Sequence, residues 1–364
     1  MALLAREMGP GGSERQLTEM AKGLDPARFA VHVGFFREGI RAKELRDAGI
    51  RCFRIPVRSF IRPYAIVGAL KLAQYLLRHR IQIVHAFDYP LACFGVPIAR
   101  ICKVPVVLSS QRGHRCLIPG PYLRAVRWTD GLVNGIVVNC GAMERHLLDD
   151  EHIEPCKIHL CYNGIDIRTF RPPAMKSARR PSPGAPVVVG NVGVMRPEKN
   201  LSLLVKAFSL VAKRHNSIKL LLVGDGPDKQ SLQKLAASLG LGERCAFMPT
   251  QENVPEWLRL IDIFVLPSVT EALSNSLMEA MACGCATIAS SAGGNPELVE
   301  SGKTGLLFEN DNIEELVGQL DLLINNAALR NELSKRASTF IRNNFSLESA
   351  TLRMEAIYEN TINA

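Results

Sequence analysis

Short apolar runs alternate with helical stretches in two successive series, and a segment rich in Pro, Arg, Ser and Gly at 171–186 separates them. The first series has strand-like runs at 30–36, 83–87, 104–109 and 135–139, with a helical stretch over 65–80 between two of them. The second has runs at 187–190, 219–223, 245–248, 261–266 and 286–290. Strands that are apolar along their length belong to a parallel sheet covered on both faces by helices. The fold expected is α/β: two doubly wound, Rossmann-like domains facing across a cleft, with the carboxyl ends of the strands turned toward it. The ranges expected are a first domain at 1–170, a linker at 171–186, a second domain at 187–345, and a terminal helix at 346–364 free to cross back to the first domain. A length of 364 residues suits two domains of ordinary size.

Hydrophobic content of 47% with 22% charged residues is that of a packed, water-soluble protein. No apolar run reaches the length of a membrane span, and MALLAREM is too short and too soon charged for a signal peptide. Ten scattered cysteines form no CxxC pair, which argues against zinc and for small buried apolar side chains in a reducing cytoplasm. The net charge of +9 is uneven: residues 1–180 carry 28 Lys and Arg against 15 Asp and Glu, and the remainder is mildly acidic. A basic half can face nucleic acid, anionic lipid or an acidic acceptor. With aromatics at only 6% and no RNA-binding signature, nucleic acid is not expected.

The stretch 271–279 carries the chemistry. Glu271 and Glu279 flank a strand-to-helix turn, Ala272-Leu-Ser-Asn-Ser276, that is rich in helix-capping residues. Backbone N–H groups at a helix N-terminus welcome an anion. Two carboxylates beside an anion site make sense when they accept hydrogen bonds from hydroxyl groups on either side of it. A nucleotide sugar has that shape: ribose hydroxyls, a pyrophosphate, then sugar hydroxyls. Read alone, the pair is better taken as a helix-dipole acid, Glu279, and a solvated loop acid, Glu271; the surrounding residues reverse that reading. Two cations, Arg196 and Lys199, follow the strand at 187–190 and could pair with a diphosphate. Gly224 and Gly226 let the chain turn tightly near a ligand, or simply turn. Gly11 and Gly12 open a helix whose cap is Ser13, where a phosphate could approach the backbone.

Together these segments resemble the retaining GT-B glycosyltransferases of family 4 (glycosyl transferases group 1). The resemblance is carried by GGSERQL at 11–17, YNGID at 162–166, RPEKN at 196–200, VGDGP at 223–227, DIFVLPS at 262–268, the E-x7-E stretch and GLLFE at 305–309, in order over nearly the whole chain. It implies donor binding mainly by the second domain and acceptor binding by the first. Glu279 would hold the ribose hydroxyls and Glu271 would lie by the donor sugar. Asn275, Ser276 and Leu277 would contact the donor, as would the glycine turn at Gly11 and Gly12. Arg196 and Lys199 would stabilise the departing diphosphate, the task of a metal ion in other sugar transferases, so no metal and no cofactor are expected. Two departures stand out. Val194 occupies the position where the family often has Arg. Gln111 occupies the position of a His taken to assist at the donor sugar, and His114 is a candidate substitute, otherwise a surface histidine.

The expected activity is transfer of a sugar from a nucleotide diphosphate sugar to a saccharide or lipid-linked acceptor hydroxyl, with retention, in polysaccharide or glycolipid assembly. A non-catalytic paralogue that binds a sugar nucleotide or a partner enzyme is the alternative. Arg51, Arg54, Arg58 and Arg62 punctuate an apolar run before a helix and suggest a peripheral site on an anionic membrane surface, at the inner face. Finally, residues 1–5 offer little before Arg6 and Glu7, so the first strand is expected to be rudimentary, with a stable chain extending upstream.

Overall fold

A computed structural model describes residues 1–57, 64–173, 185–251 and 253–363. Most of the proposed linker, and Arg58 and Arg62 of the basic run, lie outside the described residues. The chain forms two compact units. The first comprises Met1–Gly164 and Leu347–Ala364, and the second Ile165–Ser346. The first unit thus ends at 164 rather than 170, and the YNGID motif straddles the division.

The first unit is built on seven parallel strands: β1 Ala2–Glu7, β2 His32–Arg37, β3 Arg51–Arg54, β4 Ile83–Ala86, β5 Val106–Gln111, β6 Gly135–Val138 and β7 Ile158–Leu160. Their order is β3-β2-β1-β4-β5-β6-β7. The order reverses between β1 and β4, the switch point of a doubly wound sheet. The second unit repeats the plan with β8 Val187–Val192, β9 Ile218–Val223, β10 Cys245–Met248, β11 Ile263–Leu266, β12 Ala286–Ser290 and β13 Leu306–Phe308. Its order is β10-β9-β8-β11-β12-β13, with the switch between β8 and β11.

The central strands are buried along their length, as parallel strands between helix layers must be. The edge strand β3 instead exposes Arg51 and Arg54. β5 starts two residues later than its apolar run because Pro105 has no N–H and Lys103 takes a positive φ of 55°. β11 starts at Ile263 because the Asp262 carboxylate is occupied in accepting from Val188 N–H at 2.9 Å.

The first strand corrects the sequence expectation. β1 is six residues long and pairs with β2 from Ala2 to Glu7 and with β4 from Ala2 to Leu4. Arg6 and Glu7 do not cut it short. They stand at its carboxyl end, where the strand leaves the core and charge is tolerated.

The helix Leu347–Asn363 packs on the first unit, with Met354, Ile357 and Tyr358 in one core with Leu17, Met20 and Phe29. Tyr358 is fully buried, and burying such a side chain contributes about 1.5–3 kcal/mol. Its hydroxyl is matched to the His85 Nδ1 atom on β4 at 2.8 Å, and His85 Nε2 meets Ser110 Oγ at 2.8 Å. Burial holds the His85 imidazole well below its usual pKa, so it is neutral.

Candidate active site

In the second unit, loops leaving the carboxyl ends of β8, β9, β11 and β12 meet at one edge of the sheet. The loop after β9 lies against the loop after β8. A Cβ on Gly224 would fall 2.0 Å from Gly193 O, and one on Gly226 would fall 2.3 Å from Met195 O. Hydrogen bonds from Gly193 N to Val223 O (2.9 Å) and from Met195 N to Asp225 O (3.0 Å) close the contact. These glycines therefore serve loop-on-loop packing, which positions the residues that follow Met195.

Lys199 stands on the short 3-10 turn Pro197–Lys199, closed by Asn200 in the left-handed region at φ 47°. Its ammonium is ion-paired with Glu271 Oε1. The same carboxylate oxygen accepts from Ser268 Oγ at 2.8 Å, and Ser268 O in turn accepts from Ser290 Oγ at 2.6 Å. The Glu271 side chain is only 10% exposed. Sequence reasoning placed Lys199 on the diphosphate and Glu271 on the sugar; the structure brings these two together at the β8/β11 switch point. Ser268 was not singled out, and only its place in Pro-Ser, directly after a buried strand, could have pointed to it. Arg196 is largely exposed, with Glu198 its nearest acid at 3.9 Å.

The helix Asn275–Ala282 follows. Ser274 caps it, its Oγ accepting from Leu277 N–H at a long 3.4 Å. Leu277 has its side chain in the core, so only its backbone could meet a ligand, in place of the cap. Asn275 and Ser276 are half-buried at the helix start. Glu279 lies one turn in and is 7% exposed, a depth at which a carboxylate must be hydrogen-bonded or paired. The loop after β12 buttresses the turn: Gly294 N donates to Ala272 O at 2.8 Å, and Gly293 lies against the Glu271 carbonyl.

The first unit offers a second set of groups at its own switch point. A cavity of about 130 Å³ is lined by Ala5 and Arg6 at the end of β1, Ser13 and Glu14, and Phe87, Asp88, Tyr89 and Pro90 after β4. Gly11, not Ser13, is the cap of the helix Gly12–Gly23, without a side-chain bond. The Glu14 carboxylate folds over it, since a Cβ on Gly11 would lie 2.2 Å from Glu14 Oε2. Gly12 is exposed. A carboxylate thus already lies at the helix start where a phosphate was expected to approach. Asp88 caps the helix Tyr89–Ile101, accepting from Leu91 N (2.9 Å) and Arg6 N (2.5 Å). Burial pushes its carboxyl up to about 6 against those two N–H groups. Asp-x-Pro is a helix-start signal, so this residue was findable from sequence.

The loop after β5 holds Gln111 and the candidate His114. Gln111 turns back on its own loop, donating to Gly113 O and accepting from Arg115 Nε at 3.3 Å. His114 Nδ1 accepts from Cys116 N at 3.2 Å, and its ring stacks on His146 with centroids 4.0 Å apart. Burial, then the neighbouring His146, lowers its pKa. His114, His146 and Asp150 bring potential ligand atoms within 4.8 Å of one another. The fit to a metal is poor: the lone pair on His114 Nδ1 is engaged by Cys116 N–H, which leaves the proton of the neutral ring on Nε2, so a metal would have to displace that bond. Arg115 is buried between Asp130 (2.8 Å) and Glu151 (2.9 Å), and Arg127 grips Glu151 with two bonds of 2.8 and 2.9 Å. All ten cysteines are free thiols, and burial pushes Cys161 up to about 11 and Cys245 up to about 12.

Comparison with known proteins gives the geometry a context. A family model described as Glycosyltransferase Family 4 matches residues 10–169, and one described as Glycosyl transferases group 1 matches residues 175–340. N-acetyl-alpha-D-glucosaminyl L-malate synthase of Bacillus anthracis is 28% identical over 311 residues, 82% of this chain and 80% of that protein. D-inositol 3-phosphate glycosyltransferase of Mycobacterium ulcerans is 29% identical over 238 residues, 62% of this chain, which spans only 50% of that relative's length. The crystal structure of HepE of Anabaena, in complex with UDP and glucose, superposes with a TM-score of 0.87 over 98% of each chain at 20% identity, a likeness of fold.

Proposed function

The chain belongs to the GT-B glycosyltransferases of family 4, and from that premise we propose that it transfers a sugar from a nucleoside diphosphate sugar to an acceptor hydroxyl with retention of configuration and without a metal ion. The observation that carries the reading is the group at the β8/β11 switch point: Lys199 and Glu271 from loops after adjacent strands, beside a helix that holds the buried Glu279. In this reading Glu279 accepts from the ribose hydroxyls and Glu271 serves the sugar. The diphosphate competes with Glu271 for the Lys199 ammonium and meets Arg196 from the same loop. The bond from the anomeric carbon to the leaving phosphate breaks, and the acceptor oxygen bonds that carbon on the same face. Its proton passes to the departing phosphate oxygen. The protein supplies positioning and positive charge. A UDP-sugar donor is supported by the HepE complex with UDP and glucose.

The acceptor is a saccharide or a lipid-linked hydroxyl presented at an anionic membrane surface, in polysaccharide or glycolipid assembly, with the protein held peripherally on the cytoplasmic side. Among the described residues no helix is long and apolar enough to cross a membrane. The helix Tyr64–Arg78, however, exposes Tyr64 (60%), Ile66 (66%) and Leu70 (66%). Exposed apolar side chains on this helix, together with the exposed Arg51 and Arg54 of β3, suit an interface of lipid headgroups. Vesicle co-sedimentation tests this part: binding should rise with anionic lipid and fall with salt, and indifference to both would count against it.

The principal test is a thermal-shift panel of nucleoside diphosphates and nucleotide sugars, followed by NMR of the product's anomeric configuration with and without chelator. A stabilising donor and a retained anomer formed in chelator are expected. An inverted product, or a reaction abolished by chelator, refutes the mechanism. Donor binding without hydrolysis or transfer would favour the non-catalytic paralogue, for which exposed Val194 and the Gln111 in place of a His are the supporting departures.

A further inference from the structure

Arg112 follows the last residue of β5, at the carboxyl edge of the first unit's sheet. Its guanidinium lies over the ring of Phe87, 4.7 Å from the centroid, and Nη1 donates to Asn163 Oδ1 at 2.8 Å. Phe87 follows β4 and Asn163 follows β7, so residues beyond two other strands flank the cation at the sheet edge where such folds hold ligands. Nε is buried without a hydrogen-bond partner, and Nη2 donates to no described residue.

What it lacks is an acid. The ionisable groups that act on it are the Cys161 thiol and the Tyr358 phenol. Both are neutral at pH 7, because burial raises the thiol to about 11 and the phenol well above its usual value. Burial pulls the Arg112 guanidinium down from its ordinary value with no carboxylate among the described residues to offset it. Arg115, three residues on, shows the ordinary arrangement, a buried guanidinium between two carboxylates. Arg112 keeps partial access to solvent, but its Nε edge is cut off from water with no counter-ion beside it, an arrangement that costs stability. Such a group is retained where a ligand completes the pair, and the planar fork of arginine suits carboxylate and phosphate. Phe87, the ring beneath the cation, also lines the cavity at the β1/β4 switch point, although Arg112 itself does not.

We propose that Arg112 receives an anionic group, carboxylate or phosphate, carried by the acceptor. This rests on the glycosyltransferase reading, in which the first unit takes the acceptor, and it names the acceptor's class as acidic.

The test uses the full chain with its donor site filled by saturating nucleoside diphosphate. Inorganic phosphate and malonate are titrated calorimetrically, with glycerol as the neutral control. Wild type should bind phosphate, malonate or both; which of them binds assigns the source. Arg112→Gln should bind at least tenfold more weakly. Arg112→Lys, which keeps the charge and loses the fork, should fall between. Arg112→Gln should melt no lower than wild type, because it removes an unpaired charge, and both variants should keep nucleoside diphosphate affinity, which separates a lost ligand contact from a lost fold. The proposal is overturned if wild type binds neither anion, if Arg112→Gln binds them as tightly as wild type, or if the anions bind only when nucleoside diphosphate is absent. Failure of nucleoside diphosphate itself to bind would instead strike the glycosyltransferase reading.

Discussion

Replacing Gly293 by alanine should damage turnover far more than stability alone accounts for. Gly293 has φ +52°, and a Cβ there would fall 1.8 Å from the carbonyl oxygen of Glu271. Real Cβ atoms essentially never approach closer than 3.0 Å, so the two loops must separate by about 1.2 Å or more, and a displacement of that order at a reacting group can cost about a hundredfold in rate. The left-handed conformation adds about 1–2 kcal/mol of strain for a residue with a Cβ. Gly302 supplies the control, because its φ is +79° and a Cβ there would meet nothing within 4 Å. Gly302→Ala should therefore carry the strain without the displacement. The assay is nucleotide-sugar turnover beside melting temperature for both variants. Gly293→Ala should lose roughly a hundredfold in kcat with nearly unchanged nucleoside diphosphate affinity, since Glu279 is held in the neighbouring helix. Equal turnover in the two variants would refute the reasoning.

Other perturbations separate the two carboxylates and their cation. Glu279→Gln should weaken nucleoside diphosphate and nucleotide sugar alike by about ten- to a hundredfold, the worth of a hydrogen bond to a charged group, whereas Glu271→Gln should spare the diphosphate and lower turnover; equal diphosphate affinity for Glu279→Gln and wild type would sink the assignment. Lys199→Ala leaves the largely enclosed Glu271 carboxylate with Ser268 Oγ as its remaining hydrogen-bond donor among the described residues and should cost about 1–3 kcal/mol in stability. Adding Glu271→Gln should restore the stability and not the binding, as a double-mutant cycle by denaturation and calorimetry will show. Acid stability reports on Glu151, whose carboxyl the Arg127 bonds, then the Arg115 charge, hold at about 2. Because its folded value is depressed, its stabilisation is present above the ordinary carboxylate range near 4.5 and is lost as pH falls toward 2. Glu151→Gln should flatten the acid limb of the melting curve in that window.

The architecture was legible because it rests on apolar runs long enough to stand out. β10 and β12 fall on the runs at 245–248 and 286–290. The edge strands β3, β7 and β13 were not read, being three or four residues each and too short for a periodicity. β1 was underestimated because Arg6 and Glu7 were read as interrupting it, although a strand's carboxyl end lies outside the core. At the site, the identities of Lys199, Glu271 and Glu279 were visible, but not that the first two are joined. That pairing depends on how far the β8 loop reaches, which is set by Gly224 and Gly226 lying against Gly193 and Met195. Arg112 was not singled out from the sequence. A missing counter-ion leaves no trace in a sequence.

The helix at the chain's end makes the second unit an insertion within the first. His85 and Tyr358, hydrogen-bonded in one buried cluster, stand 273 residues apart. A nascent chain emerging N-terminus first can complete the second unit, Ile165–Ser346, as a continuous segment. The first unit must wait with the surface around Leu17, Met20 and Phe29 uncovered until Met354, Ile357 and Tyr358 leave the ribosome. The half that is synthesised first is therefore the half that finishes last. Its exposed apolar face, during that interval, is where a chaperone would find this protein.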